Sequence, residues 1–317
     1  MNHLRVLLAL TFSLVTSLGA SAATFAYITN ETSNNVSVIN TATNAVVSTI
    51  PVGIGPSGVA ANSAGTRVYV ANATSNSVSV INTGTNSIVA TITGLLNPSG
   101  VAVNPAGTRL YVKNSSNLSV VNLATNTVIA TVPAGTTSGS VVVNPAGTRA
   151  YVTNWDASSV IVVNTSTNTV ITNVAVGSNP YDIAINPAGT RVFVSNVISN
   201  NVSVIDTNTN TVVATIPVGS SPYSLAVNPA GTRVYVANGF GNSMSVINTA
   251  TNTVITTIPN VGNFPNGVSV NPAGDRVYVC NEAAGANNVS VVDATTNAVI
   301  ATVAAGTNPF SSVVTTP

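Results

Sequence analysis

Histidine is almost missing from this 317-residue chain: its one copy, His3, stands at the very start. Past the leader described below no imidazole remains. That excludes a Ser-His-Asp hydrolase site, a haem iron held by histidine and a His-ligated metal centre. Cysteine is as scarce. Cys280 alone allows neither an intramolecular disulfide nor a cysteine cluster for zinc. It takes the place held by Ala71 in another copy of the same strand, which points to a small, inert thiol. Charge is thin too, at 5% of residues. Without Arg5 of the leader, seven Arg or Lys residues balance seven Asp or Glu, and net charge falls near zero. Nucleic acid and a polybasic membrane patch are therefore not expected as partners. No helical periodicity and no glycine-rich phosphate loop leading into a helix occurs, and no later stretch reaches the ~18 apolar residues of a membrane span.

The first residues read as an export signal. Arg5 lies in a short polar start, Val6 to Leu18 is mostly apolar, and Ala20-Ser21-Ala22 offers a small-residue cleavage site. The apolar run is too short for a bilayer core of about 30 Å. Residues 1–22 are expected to be removed and 23–317 to form one exported domain, placed in the periplasm, the medium or at the cell surface.

What the chain has in abundance is repetition. Asn-Pro-Ala-Gly-Thr-Arg or a near variant recurs, with its arginines at 67, 109, 149, 191, 233 and 276, in steps of 42, 40, 42, 42 and 43 residues. One unit, from Pro56, holds a small-residue strand (57–61), a turn containing Gly65, an alternating strand (67–72), a third strand (77–81), an Asn-Thr-x-Thr-Asn turn and a β-branched fourth strand (87–92). Four antiparallel strands in that length are a propeller blade. The small-residue strand suits the crowded axis. Pro51, Pro133, Pro217 and Pro259 end fourth strands, as suits an outer edge that must not pair with foreign strands.

Second strands number seven, at 27–30, 69–72, 111–114, 151–154, 193–196, 235–238 and 278–281, one more than the arginine phrase. The chain after its leader begins at a second strand, and Pro309-Phe310-Ser311-Ser312-Val313-Val314 is a first strand with no successor. The reading is all-β: a seven-bladed propeller of four-stranded antiparallel blades, closed by the C-terminal strand joining the N-terminal blade.

The Tyr-Val-x-Asn strand, the Pro-Ala-Gly-Thr-Arg turn and the Val-Ile-Asn-Thr-x-Thr-Asn turn resemble the YVTN family of β-propeller repeats, found in archaeal surface-layer proteins and in bacterial exported proteins similar to the YncE group. The resemblance covers nearly all of the chain after the leader. It implies the fold and leaves function open, because the shared residues hold blades together.

Turns after strands one and three fall on one face and are uniform; loops after strands two and four fall on the other and vary. Binding on rigid scaffolds concentrates in such loops. The repeated arginines read as structural donors to carbonyls or Asn side chains, and Asp206, Asp275 and Asp293 as turn residues. Lys113, alone of its kind in the second strands, is expected to be exposed. Four acids escape the repeat: Glu31, Asp156, Asp182 and Glu282. Glu31 and Glu282 sit in blades one and seven, neighbours across the seam, where a carboxylate pair would suit acid–base work or Ca²⁺; the alternative is two solvated side chains. Trp155, Tyr181, Asp182, Tyr223 and Phe240 gather on blades four to six of the variable face, with Phe310 further round. Such rings suit a sugar or an extended peptide; the alternative is packing of loops over the blade tops.

The expectation is an exported, non-catalytic binding or cell-envelope module without cofactor, its partner a glycan, a peptide or an envelope protein. The competing expectation is a hydrolase or lyase of propeller-lactonase type using loop carboxylates. A third is a surface-layer tile that self-associates.

Overall fold

A computed structural model describes residues 23–135, 137 and 139–317. The expected leader lies outside the described residues. Twenty-eight strands form seven four-stranded antiparallel sheets, with no helix among the described residues. Blade 1 is sewn as expected: its inner strand, Pro309–Thr315, pairs with Phe25–Asn30, followed outward by Asn35–Asn40 and Ala45–Pro51. Blades 2 to 7 follow in chain order, each from inner to outer strand.

The core lies between blades rather than inside one. Tyr27, Val36 and Val38 of blade 1 pack on Val68, Val70 and Ile81 of blade 2. The same arrangement repeats around the ring until Tyr278, Cys280 and Val289 of blade 7 meet Ala26, Ile28 and Ile39 of blade 1. Alternating strands make this possible, because every second side chain of the two middle strands faces the neighbouring sheet. Cys280 is fully buried within that seam, and burial pushes its thiol up to about 12.

The uniform face is held by the phrases that define the repeat. In the arginine phrase the leading Asn side chain accepts main-chain N–H groups at the turn's far end, as Asn104 does from Thr108 and Arg109, both at 2.9 Å. All six arginines donate to a carbonyl. Arg149 and Arg233 reach the next blade, at Thr207 and Ala294, both over 2.5 Å. Arg191 and Arg276 also pair with Asp206 at 2.6 Å and Asp293 at 2.9 Å. Main-chain N–H groups of Asn208 and Thr209 hold Asp206 below the usual carboxylate range, and Thr296 and Thr295 do the same for Asp293. The arginines and these acids are fasteners, as their repetition implies.

Candidate functional site

On the variable face the inner strands surround a funnel of about 350 Å³, to which all seven blades contribute. That volume lies within the range of small-molecule sites. Its wall is lopsided. On blades 2 to 4 it is small, Ser or Gly apart from Ala73 and Asn97, and the inner strands there nearly touch. The Gly58 N–H donates to the Ser99 carbonyl over 2.9 Å, and a Cβ on Gly58 would lie 2.2 Å from that oxygen. Ser99 Oγ in turn donates to the Gly139 carbonyl at 2.9 Å. The opposite wall carries Tyr181, Asn266 and Phe310.

Tyr181 is also a rung of an aromatic ladder that passes from blade to blade across the face. Trp155 meets Tyr181 edge-on with centroids 6.1 Å apart, and Tyr181 meets Tyr223 edge-on at 5.1 Å. Tyr223 then tilts against Phe264 at 5.1 Å, and Phe264 meets Phe240 edge-on at 5.3 Å. The three edge-on contacts have the geometry that ring quadrupoles favour. Phe240, at the outer end, is 69% exposed.

Phe264 has φ +53°, a left-handed conformation. The same position before the loop proline is Gly55, Asn97, Asn179, Ser221 or Asn308 in other blades, all with positive φ. Glycine and asparagine tolerate that region; a bulky residue does so at a cost of about 1–2 kcal/mol. Two hydrogen bonds hold Phe264 there. Its N–H donates to Asn242 Oδ1 at 2.9 Å, and its carbonyl accepts the Glu282 N–H at 3.0 Å.

The acids across the seam are both engaged. Asn266 Nδ2 donates to Glu282 Oε2 at 2.6 Å, and Asn308 Nδ2 donates to Glu31 Oε2 at 3.0 Å. Burial pushes the Glu282 carboxyl above the ordinary carboxylate range; the Asn266 bond opposes this, and the charge of Glu31 adds to it. Burial also raises the Tyr181 hydroxyl, with the Glu282 charge the next contribution. Glu282, Asn266 and Tyr181 therefore form one electrostatic neighbourhood, of which Asn266 and Tyr181 line the funnel. Asp182 is spent differently. Its Oδ2 accepts from Ser224 Oγ at 2.6 Å and the Leu225 N–H at 3.1 Å, tying blade 5 to blade 6 at the funnel wall. Among the described residues no three His, Cys, Asp or Glu side chains converge as a metal site requires.

The model of the YNCE-like β-propeller family matches residues 6–184 and 184–275. The chain belongs to this family. No curated protein matches the sequence. Among solved structures, this YNCE-like propeller is similar to hydrazine synthase of Kuenenia stuttgartiensis (TM-score 0.74, 20% identity, 81% of this chain and 88% of that one). It is similar to a functionally unknown protein of Desulfotomaculum acetoxidans (0.81, 17%, 92% and 99%). Dihydro-haem d1 dehydrogenase NirN is a third (0.67, 13%, 91% and 74%). At these identities the likeness shows the fold alone.

Within the YNCE-like frame, Lys113 departs from the expectation of exposure. It is fully buried. Its Nζ donates to the carbonyls of Asn114 at 2.5 Å and Thr137 at 2.8 Å. Desolvation lowers its pKa to about 8, with the charge of Asp156 acting the other way. The reason is a local shortening. At the same strand position Thr29, Thr153 and Ser195 donate to the carbonyl of the residue after the next blade's loop proline, at Ser57, Tyr181 and Tyr223. The 40-residue step between blades 3 and 4 removes that proline, and a longer side chain spans the gap. The expectation of simply solvated acids also fails for Glu282, which is desolvated and bonded to Asn266. Sequence reasoning missed Phe264, although an aromatic residue before a loop proline is as unusual in the repeat as one after it.

Proposed function

We propose that this YNCE-like propeller is a non-catalytic binding module whose ligand sits in the axial funnel and extends over the aromatic ladder. The observation that carries the reading is the lopsided funnel. Seven blades of near-identical sequence would give a symmetric mouth, yet Tyr181 and Phe310 both stand on one side of it and Tyr181 belongs to a run of five contacting rings. A strained Phe264 held among them fits a role in binding, since backbone strain tends to persist where function uses it. A glycan, a peptide or a small organic molecule of the cell envelope suits such a wall, and the leader pattern at 1–22 supports placing the module outside the cytoplasm.

Enzymes share this architecture, hydrazine synthase and NirN among them, so turnover belongs in the test. The purified protein is screened for binding and turnover against glycan, peptide, lactone and small-molecule panels, alongside a Trp155→Ala, Tyr181→Ala double variant. Binding without turnover, lost in the double variant, supports the module. Turnover abolished by Glu31→Gln or Glu282→Gln overturns it in favour of a carboxylate-dependent hydrolase or lyase.

A further inference from the structure

The near-neutral total conceals a separation of charge along the propeller axis. All six repeated arginines start second strands on the uniform face, accompanied by Asp206, Asp275 and Asp293. The variable face carries the other four acids, Glu31, Asp156, Asp182 and Glu282. Lys113 is the one base on that side among the described residues, and it is buried under three carbonyls, those of Asn114, Gly135 and Thr137. The face with the funnel is therefore net negative and the opposite face net positive. A cleft lined by one sign of charge concentrates ligands of the other.

Two further features sharpen the chemistry. The aromatic ladder enters the funnel at Tyr181, and ring faces attract cations, most strongly where water is partly excluded. Asn266 and Asn308 each occupy one oxygen of a seam carboxylate, and among the described residues no cation lies within bonding distance of either. With Tyr181 and Phe310 lining the same funnel as Glu31, the place pairs negative charge with aromatic surface. A strongly hydrated primary ammonium with three donors is matched less well than an alkylated one, whose positive charge is spread over apolar substituents.

We infer that the ligand of this face is a small organic cation bearing an alkylated ammonium group, its charge toward Glu31 in the funnel, with Glu282 behind Asn266 adding to the negative field, and its apolar substituents against Tyr181 and the rings beyond. The inference rests on the binding-module reading and names its ligand class. Phe264 is the residue that joins the two halves: its ring completes the ladder, and its carbonyl fixes the main chain of Glu282.

The probe is choline, set against its uncharged isostere 3,3-dimethylbutan-1-ol, titrated calorimetrically and through the fluorescence of Trp155, the single tryptophan. Choline is expected to bind saturably and the isostere about tenfold more weakly or not at all, as a cation–π and carboxylate contribution of that size requires. Glu282→Gln and Phe264→Ala are each expected to weaken choline about five- to tenfold, with native-like unfolding curves confirming that both variants fold. Equal binding of choline and the isostere overturns the inference and leaves the module reading standing. So does binding confined to the glycan or peptide panel, basic peptides included. Absence of binding by every panel overturns both.

Discussion

The main-chain N–H of Glu282 donates to the carbonyl of Phe264 across 3.0 Å, so the most unusual backbone on the variable face directly positions its most perturbed carboxylate. The same bond, from the residue after the strand-two Asn to the left-handed residue before the loop proline, recurs as Ala73 to Gly55 at 2.8 Å and Glu31 to Asn308 at 2.9 Å. The scaffold is common to the repeat; among the described residues only here does it carry an aromatic ring and a half-buried acid together.

Strain at Phe264 has a measurable sign. Phe264→Ala and Phe264→Asn both remove the ring contacts with Tyr223 and Phe240, but alanine keeps the left-handed penalty that asparagine largely escapes. The Asn variant is expected to be more stable than the Ala variant by about 1 kcal/mol in denaturant unfolding. Equal stabilities would mean that the backbone there is unstrained or relaxes.

Glu282 makes stability pH-dependent in a defined direction. Its carboxyl holds its proton more tightly folded than unfolded, so between its ordinary value of 4.5 and the raised one the native state binds more protons. Stability conferred by the protonated acid is complete below 4.5 and is lost as pH climbs through the raised value. Glu282→Gln should flatten that part of the profile, measured as unfolding free energy against pH.

Lys113 acts at the other end of the scale. Its folded pKa of about 8 lies below the ordinary 10.5, so the unfolded chain binds the extra proton in between. Stability should rise with pH from about 8 until unfolded tyrosines ionise near pH 10. Lys113→Met should lose that rise while keeping the profile below it.

Gly58 tests how tightly the small half of the funnel is built. Gly58→Ala forces a Cβ against the Ser99 carbonyl and should cost about 1–3 kcal/mol as overpacking does, read from the urea midpoint. The same change at Gly84, in an open turn of the uniform face where the nearest atom is a side-chain oxygen at 3.4 Å, should cost far less.

The fold was almost fully legible in the sequence, because every blade restates it. The 42-residue step, the small inner strand and the unpaired first strand at Pro309 determined blade count and closure without any tertiary information. The face could be located by subtraction, and Trp155, Tyr181, Tyr223 and Phe240 stood out once the repeat was removed. What subtraction could not reveal was which partner each side chain would meet. Asn266 reads as an ordinary loop amide until blade 7 places it against Glu282, and Lys113 reads as an exposed strand residue until the shortened step beside it is seen to need a longer donor. Phe264 was hidden differently: its significance lies in a φ angle that the surrounding hydrogen bonds enforce.

The central claim is that ligand binding belongs to the funnel and ladder of the variable face. The most direct test is the dissociation constant of the tightest-binding member of the ligand panels, measured calorimetrically for the wild type and for a Tyr181→Ala, Phe264→Ala double variant of confirmed fold. The account predicts at least a roughly tenfold loss, as expected for removal of central aromatic contacts, with saturation accompanied by a change in Trp155 fluorescence. An unchanged dissociation constant in the double variant would contradict it.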